Sequence, residues 1–101
     1  MSAPKWPESV PVLTAKDIHR GSMHSPDGGR HCLMGHAVLH FKDWRAREDV
    51  WPELIAAVGK RGGLYVADFN DDPANTKTAI ANVWNETMRS LGYTEIHEVD
   101  A

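Results

Sequence analysis

The chain is short of cysteine, of long apolar runs and of positive charge, and each shortage closes off a class of protein. Among its 101 residues there is one cysteine, Cys32. An internal disulfide is therefore excluded, and with it the commonest framework of small secreted domains, so a reducing, cytoplasmic setting is expected. No stretch approaches the roughly 20 apolar residues of a membrane-spanning helix. The opening MSAPKWPESVPV lacks the basic-then-apolar pattern of a signal peptide. No membrane partner is expected. Eleven basic against fourteen acidic side chains leave a formal charge of -3, so no general field attracts a phosphate backbone and nucleic acid is not an expected partner. Six histidines make the balance pH-sensitive, since protonating them all reverses its sign.

The remainder reads as an ordinary globular domain. With 42% hydrophobic and 25% charged residues, the chain is long enough to build one core without a disulfide or metal. Pro4, Pro7 and Pro11 mark residues 1–12 as an extended arm, which Trp6 can pin to a single domain over residues 13–101. Thr14 is placed to cap a short helical turn, AKDIHR, that Gly21 stops. SMHSPDGGRHCL reads as a β-hairpin about Pro26-Asp27-Gly28-Gly29, with Ser25 opposite Arg30, His24 opposite His31 and Met23 opposite Cys32.

From Leu33 the period becomes helical, and Leu33, Met34, Ala37, Val38, Phe41 and Trp44 fall on one apolar arc. A second helix is expected from about Val50 to Val58, capped near Asp49 or Trp51, with Pro52 in its first turn, Leu54, Ile55 and Val58 turned inward, and Gly59 at its end. GGLYVADF resembles a short strand. Ile80, Val83, Trp84, Thr87, Met88 and Leu91 define the clearest helix, begun at Asp72-Pro73 or Thr76 and closed by Gly92. YTEIHEVDA is a final strand or a tail. The expected class is α+β, mostly helical: a β-hairpin plus one short strand packed on about three helices.

The densest chemistry lies in GGRHCLMGHAVLH, where Cys32, His36 and His40 are spaced four apart. Thiolate and imidazole suit zinc. On a helix, however, Cys32 and His40 would stand about 12 Å apart along the axis, so at most two of the three can share an ion, with others drawn from His19, His24 or His31. Cys32 with His36 could instead form a nucleophile and base, Cys32 being favoured as thiolate at a helix N-terminus. The helical wheel gives a plainer account. It turns His36 to solvent, sets His40 at the rim of the apolar arc, and makes Cys32 the last hairpin residue. No cofactor or resident metal is expected from it.

Other patterns fail on chemistry. Asp68, Asn70 and Asp72 fit the first positions of a calcium loop, but Pro73 and Ala79 stand where a glycine and a bidentate glutamate are needed. GKRGG follows a helix C-terminus, whose dipole has the wrong sign for phosphate. Asn85-Glu86-Thr87 matches a glycosylation sequon inside a helix pattern and reads as chance.

Taken together, the PDGG turn, Cys32-Leu33-Met34-Gly35, Phe69-Asn70-Asp71 and the amphipathic closing helix resemble a family of small uncharacterised bacterial and phage proteins. In that family a Cys-x-x-Gly step opens a helix and an Asn-Asp step precedes the last one. The resemblance covers roughly residues 21–92 and singles out Cys32, Gly35, Asn70 and Asp71 as structural, with no activity attached. His36 stands where the family has a small residue. Gly35 is expected to let the hairpin approach the last helix, and Asn70 and Asp71 to tie a loop through backbone bonds.

The expected function is that of a small non-enzymatic interaction protein of phage type that binds a host protein, with Trp6 and Trp44 as anchor candidates. The alternatives are a Cys/His-dependent hydrolase or metal-dependent enzyme centred on Cys32, and a metal-binding regulator.

Overall fold

The computed structural model describes residues 3–100. In chain order it contains a 3-10 turn, Ala15–Asp17, and four helices: α1 Leu33–His40, α2 Trp44–Gly59, α3 Val66–Asp71 and α4 Lys77–Ser90. Among the described residues β pairing is confined to two isolated bridges. The architecture is all-helical, which corrects the α+β expectation.

The closing helix forms as its spacing predicts. Thr76 caps it by accepting from the Ala79 amide at 3.0 Å, and Ile80, Val83, Trp84, Thr87 and Met88 are buried. α4 is the axis of the molecule, with α2 on one side and the Ala15–Asp17 turn on another. Leu33, Ala37 and Phe41 from the α1 region, and Val50, Leu54 and Val58 from α2, complete the core around Trp84.

The hairpin does not propagate. The turn itself closes, with Gly28 N–H donating to the Ser25 carbonyl at 2.9 Å. The expected register also survives at one step: His24 bridges His31, flanked by Ser25 N–H to Arg30 O and Cys32 N–H to Met23 O. Two things stop a ladder. Cys32 is already the N-cap of α1, and the backbone groups of His31 go to another segment, its N–H to the Asp17 carbonyl and its carbonyl to the His19 N–H.

GGLYVADF is not a strand either. Val66, Phe69 and Asn70 are its buried or half-buried residues, an i, i+3, i+4 spacing that belongs to α3. α2 starts six residues earlier than expected because Asp43 caps it, accepting from the Arg45 N–H at 3.0 Å. Pro52 is tolerated inside because it and Glu48, the residue whose carbonyl loses its partner, both face water. Ile55, expected inward, is 54% exposed. The C-terminal segment is a tail, anchored by buried Ile96.

With no sheet, the irregular segments need other partners for their backbone groups. Asparagines supply them. Asn85, fully buried, accepts from the Leu13 N–H at 2.9 Å and donates to the Leu13 carbonyl at 3.0 Å. Asn82, one turn earlier, does the same for Val99 in the tail. The arm is fastened further by Trp84 Nε1–H to the Pro11 carbonyl, by the Tyr93 hydroxyl to the Pro7 carbonyl, and by Trp6 set edge-on against Phe41 at 5.8 Å.

Asn85→Ala leaves both polar groups of Leu13 buried and unpaired and is expected to lower unfolding free energy by about 2–4 kcal/mol. Asn82→Ala, at a half-buried pair, should cost less than about 1.5 kcal/mol. Urea denaturation of both variants checks the difference; equal small losses would refute the role assigned to Asn85.

Candidate functional site

Cys32 and His36 sit on the same short helix but do different work. The Cys32 thiol sulfur accepts from the Gly35 N–H at 3.3 Å and so caps α1. His36 is 4% exposed, contrary to the expected solvent-facing position. α1 is rotated so that its buried arc centres on Leu33 itself, with His36 and Ala37 on either side, and the Asp17 segment covers it. Trp44 drops out of that arc because the chain breaks at residues 41–43 and restarts as α2. His36 Nε2–H donates to the Asp17 carbonyl at 2.8 Å, while its Nδ1 is buried without a partner. Cys32 and His36 are joined only through the backbone, His36 N–H donating to the Cys32 carbonyl at 2.9 Å, and among the described residues their side chains share no hydrogen bond.

His36 belongs to a row of rings. His24 and His31 meet at 4.8 Å between centroids, His31 and His36 at 5.0 Å, and His36 stacks on His40 at 5.7 Å; the last two both touch Trp84. His24 Nδ1 and His31 Nδ1 are 2.6 Å apart, so one must donate and the other accept. Burial holds the His36 imidazole down at about 4, helped by the charges His31 and His40 would carry and opposed by its bond to the Asp17 carbonyl. Burial likewise lowers His31 and His40. Among the described residues no three His, Cys, Asp or Glu side chains are arranged to hold a metal ion.

The residues singled out by resemblance do converge. Asn70 accepts from the Leu33 N–H at 3.0 Å and donates to the His19 carbonyl at 2.9 Å, and Asp71 accepts from the Gly21 N–H at 3.0 Å. They tie the start of α1 and the 19–21 loop to α3. A Cβ on Gly35 would collide with the Met23 carbonyl oxygen, so the close approach it permits is that of the Met23 segment to α1, not of a hairpin to α4.

The feature that sequence reasoning missed is an apolar groove. Met34 from α1, Trp51 and Ile55 from α2, and Leu64, Tyr65, Val66 and Ala67 from the start of α3 line about 420 Å³. Leu64 is 83% exposed and Tyr65 67%. On α2, Trp44, Trp51 and Ile55 fall within about 60° of one another at 100° per residue, and Trp44 is 60% exposed. Beginning α2 at its Asp43 cap would have revealed this second stripe, on the side away from Ala46, Val50, Leu54 and Ala57. A smaller depression of about 240 Å³, lined by Met23, Cys32, Asn70 and Asp71, shares Met34 and Ala67 with the groove and so adjoins it. Of the two tryptophan candidates, Trp44 belongs to this face, whereas Trp6 packs on Phe41.

No protein-family model matches the chain, and neither does any curated protein or solved structure. Among the described residues no helix is long and apolar enough to cross a membrane.

The histidine row gives a signed pH dependence. The unfolded chain, with imidazoles near 6.5, binds protons that folded His36 refuses until about pH 4. Stability is therefore full above about pH 6.5 and falls as pH drops toward 4, by up to about 3 kcal/mol from His36 alone. Denaturant titrations at pH 7 and 4.5 should show the loss, and His36→Gln, which retains a donor for the Asp17 carbonyl, should flatten it. An unchanged slope in that variant would refute the assignment.

Proposed function

We propose that the chain is a small non-enzymatic interaction protein that docks a partner protein on the α1–α2–α3 face. The observation that carries this reading is the outward surface of Ile55, Leu64 and Tyr65, which line one apolar groove, with Trp44 further along the same stripe of α2. A water-facing surface of this kind marks an association site more often than a packing accident. The groove's lining offers only the Trp51 indole and the Tyr65 hydroxyl as polar side-chain groups, which suits apolar anchors better than a polar small molecule. The groups a hydrolase would use are meanwhile engaged in structure: Cys32 caps α1 and His36 Nε2 holds the Asp17 carbonyl.

A photoreactive phenylalanine at position 65 tests the reading in the cells that make the protein. It should crosslink to a defined partner, and Ile55→Asp with Leu64→Asp should abolish the adduct. Both sites are exposed, so each change should cost no more than about 0.5 kcal/mol of stability. Identical adducts from the double variant would sink the reading.

A further inference from the structure

Resting on that reading, we infer that the partner presents a cationic amphipathic helix to the groove. The argument is charge complementarity around an apolar centre. Cations are sparse in the three walls: α1 has none, residues 48–59 have none and residues 62–76 have none, and only the first turn of α2 carries two, Arg45 and Arg47. Residues 48–59 and 62–76 carry Glu48, Asp49, Glu53, Asp68, Asp71 and Asp72. All six are exposed, and none forms an ion pair among the described residues.

Of the six, Asp49 and Glu53 lie about 140° and 180° around α2 from Trp44 and face away from the groove, whereas Glu48, Asp68 and Asp71 border it. Glu48 lies in the α2 stripe between Trp44 and Trp51, within the same arc. Asp68 borders a depression beside Leu64 and Tyr65, and Asp71 closes the far end of the one that continues past Met34. The cations at the margins are occupied. Arg61 is held by Glu86 at 2.6 Å and by the Ala57 carbonyl, Arg45 by Asp43, Arg47 by the Phe41 carbonyl at 2.6 Å and Arg20 by the Asn75 carbonyl. An incoming lysine or arginine therefore meets carboxylates that no cation of the described residues already pairs.

The shape favours a helix. Trp44 to Ile55 spans eleven residues, about 16 Å or three turns, which matches apolar anchors at i, i+3 or i+4, and i+7 on a partner helix. Among the described residues no strand edge is available to pair with an extended peptide. Met34 lines the groove and, with Met23, the adjoining depression, and such side chains adapt to the branched residues of a partner. A second copy docked through the same face would set Glu48, Asp68 and Asp71 against the same carboxylates of its partner. An anionic membrane would be repelled in the same way.

The test uses the intact chain and a displayed library of random peptides of about 16 residues, long enough for four helical turns. Binders are sorted by whether they are lost on the Ile55→Asp, Leu64→Asp protein. Those that depend on the face should carry net positive charge and become helical on binding by circular dichroism. They should weaken at least about tenfold between about 50 and 300 mM salt, and again on Glu48→Lys with Asp68→Lys. Face-dependent binders that are acidic, neutral or proline-rich, or that ignore the charge reversals, overturn the cationic helix while leaving the docking face standing. A selection yielding no face-dependent binder, with both proteins unfolding at the same urea concentration, overturns the docking reading itself. A wild-type dimer in sedimentation that Ile55→Asp with Leu64→Asp dissolves assigns the face to a second copy and overturns the proposal.

Discussion

The structure depends on three side-chain amides pairing with backbone that has no ladder. Residues 3–32 contain one turn of 3-10 helix and otherwise no regular structure, yet Leu13 and Ile18 lie in the core. Polar groups carried inward with them would each cost on the order of 1–3 kcal/mol if left unpaired. An asparagine side chain presents a carbonyl and an N–H₂ side by side, the same complement that a neighbouring strand presents to one residue. Asn85 takes Leu13 and Asn82 takes Val99 in this way, and both project from α4 one turn apart. The two ends of the chain are thus fastened to the helix that forms the centre of the core. Asn70 completes the set by joining the first amide of α1 to the His19 carbonyl.

The buried histidine follows the same logic. The segment that Asn70 holds from one side is held from the other by His36, which donates to the Asp17 carbonyl while His31 N–H reaches that same oxygen at 3.2 Å. One carbonyl receives two donors, and the ring of His31 meets that of His36 edge-on, which in turn lies tilted against Trp84. The arrangement keeps His36 neutral, since a proton on it would be a buried charge beside His31 and His40. Acid sensitivity is therefore a consequence of how the N-terminal segment is attached.

Legibility in the sequence tracked how far each element depends on its own residues. α4 announced itself because its period, cap and closing glycine agree within one stretch. The Pro26–Gly29 turn did likewise, and even its register held at His24 and His31. What could not be read was competition for backbone partners: nothing local to His31 shows that Asp17 and His19 claim its N–H and carbonyl, which is what reduces a hairpin to a bridge. The rotation of α1 was hidden for the same reason, because the cover over His36 comes from residues 15–18. α2 was misread locally. Pro52 looked like a first turn, although an exposed proline in mid-helix loses only a bond that water replaces. Shortening the helix there hid the outward stripe, and Ile55 was assigned to the core by default. Of the site residues, Asn70 and Asp71 were read as fold support and do line it; Met34 was assigned to the inward arc of α1 and Leu64 and Tyr65 to a strand, so none of the three was read as surface.

The same fastening explains why an apolar groove is left in the open. α3 has six residues and contributes Phe69 and Asn70 to the interior, so it has no further face with which to cover Leu64 and Tyr65. Nor can those two side chains fold inward. Gly63 lies so close to Val58 and Phe69 that a Cβ there would clash with both, its N–H is committed to the Val58 carbonyl at 3.1 Å, and Asn75 pins the Phe69 carbonyl on the other side. The loop is held at both ends with its apolar residues outward. A surface fixed in this way has already met much of the conformational cost of association, and its exposed leucine and tyrosine can meet a partner without rearrangement of the core beneath them.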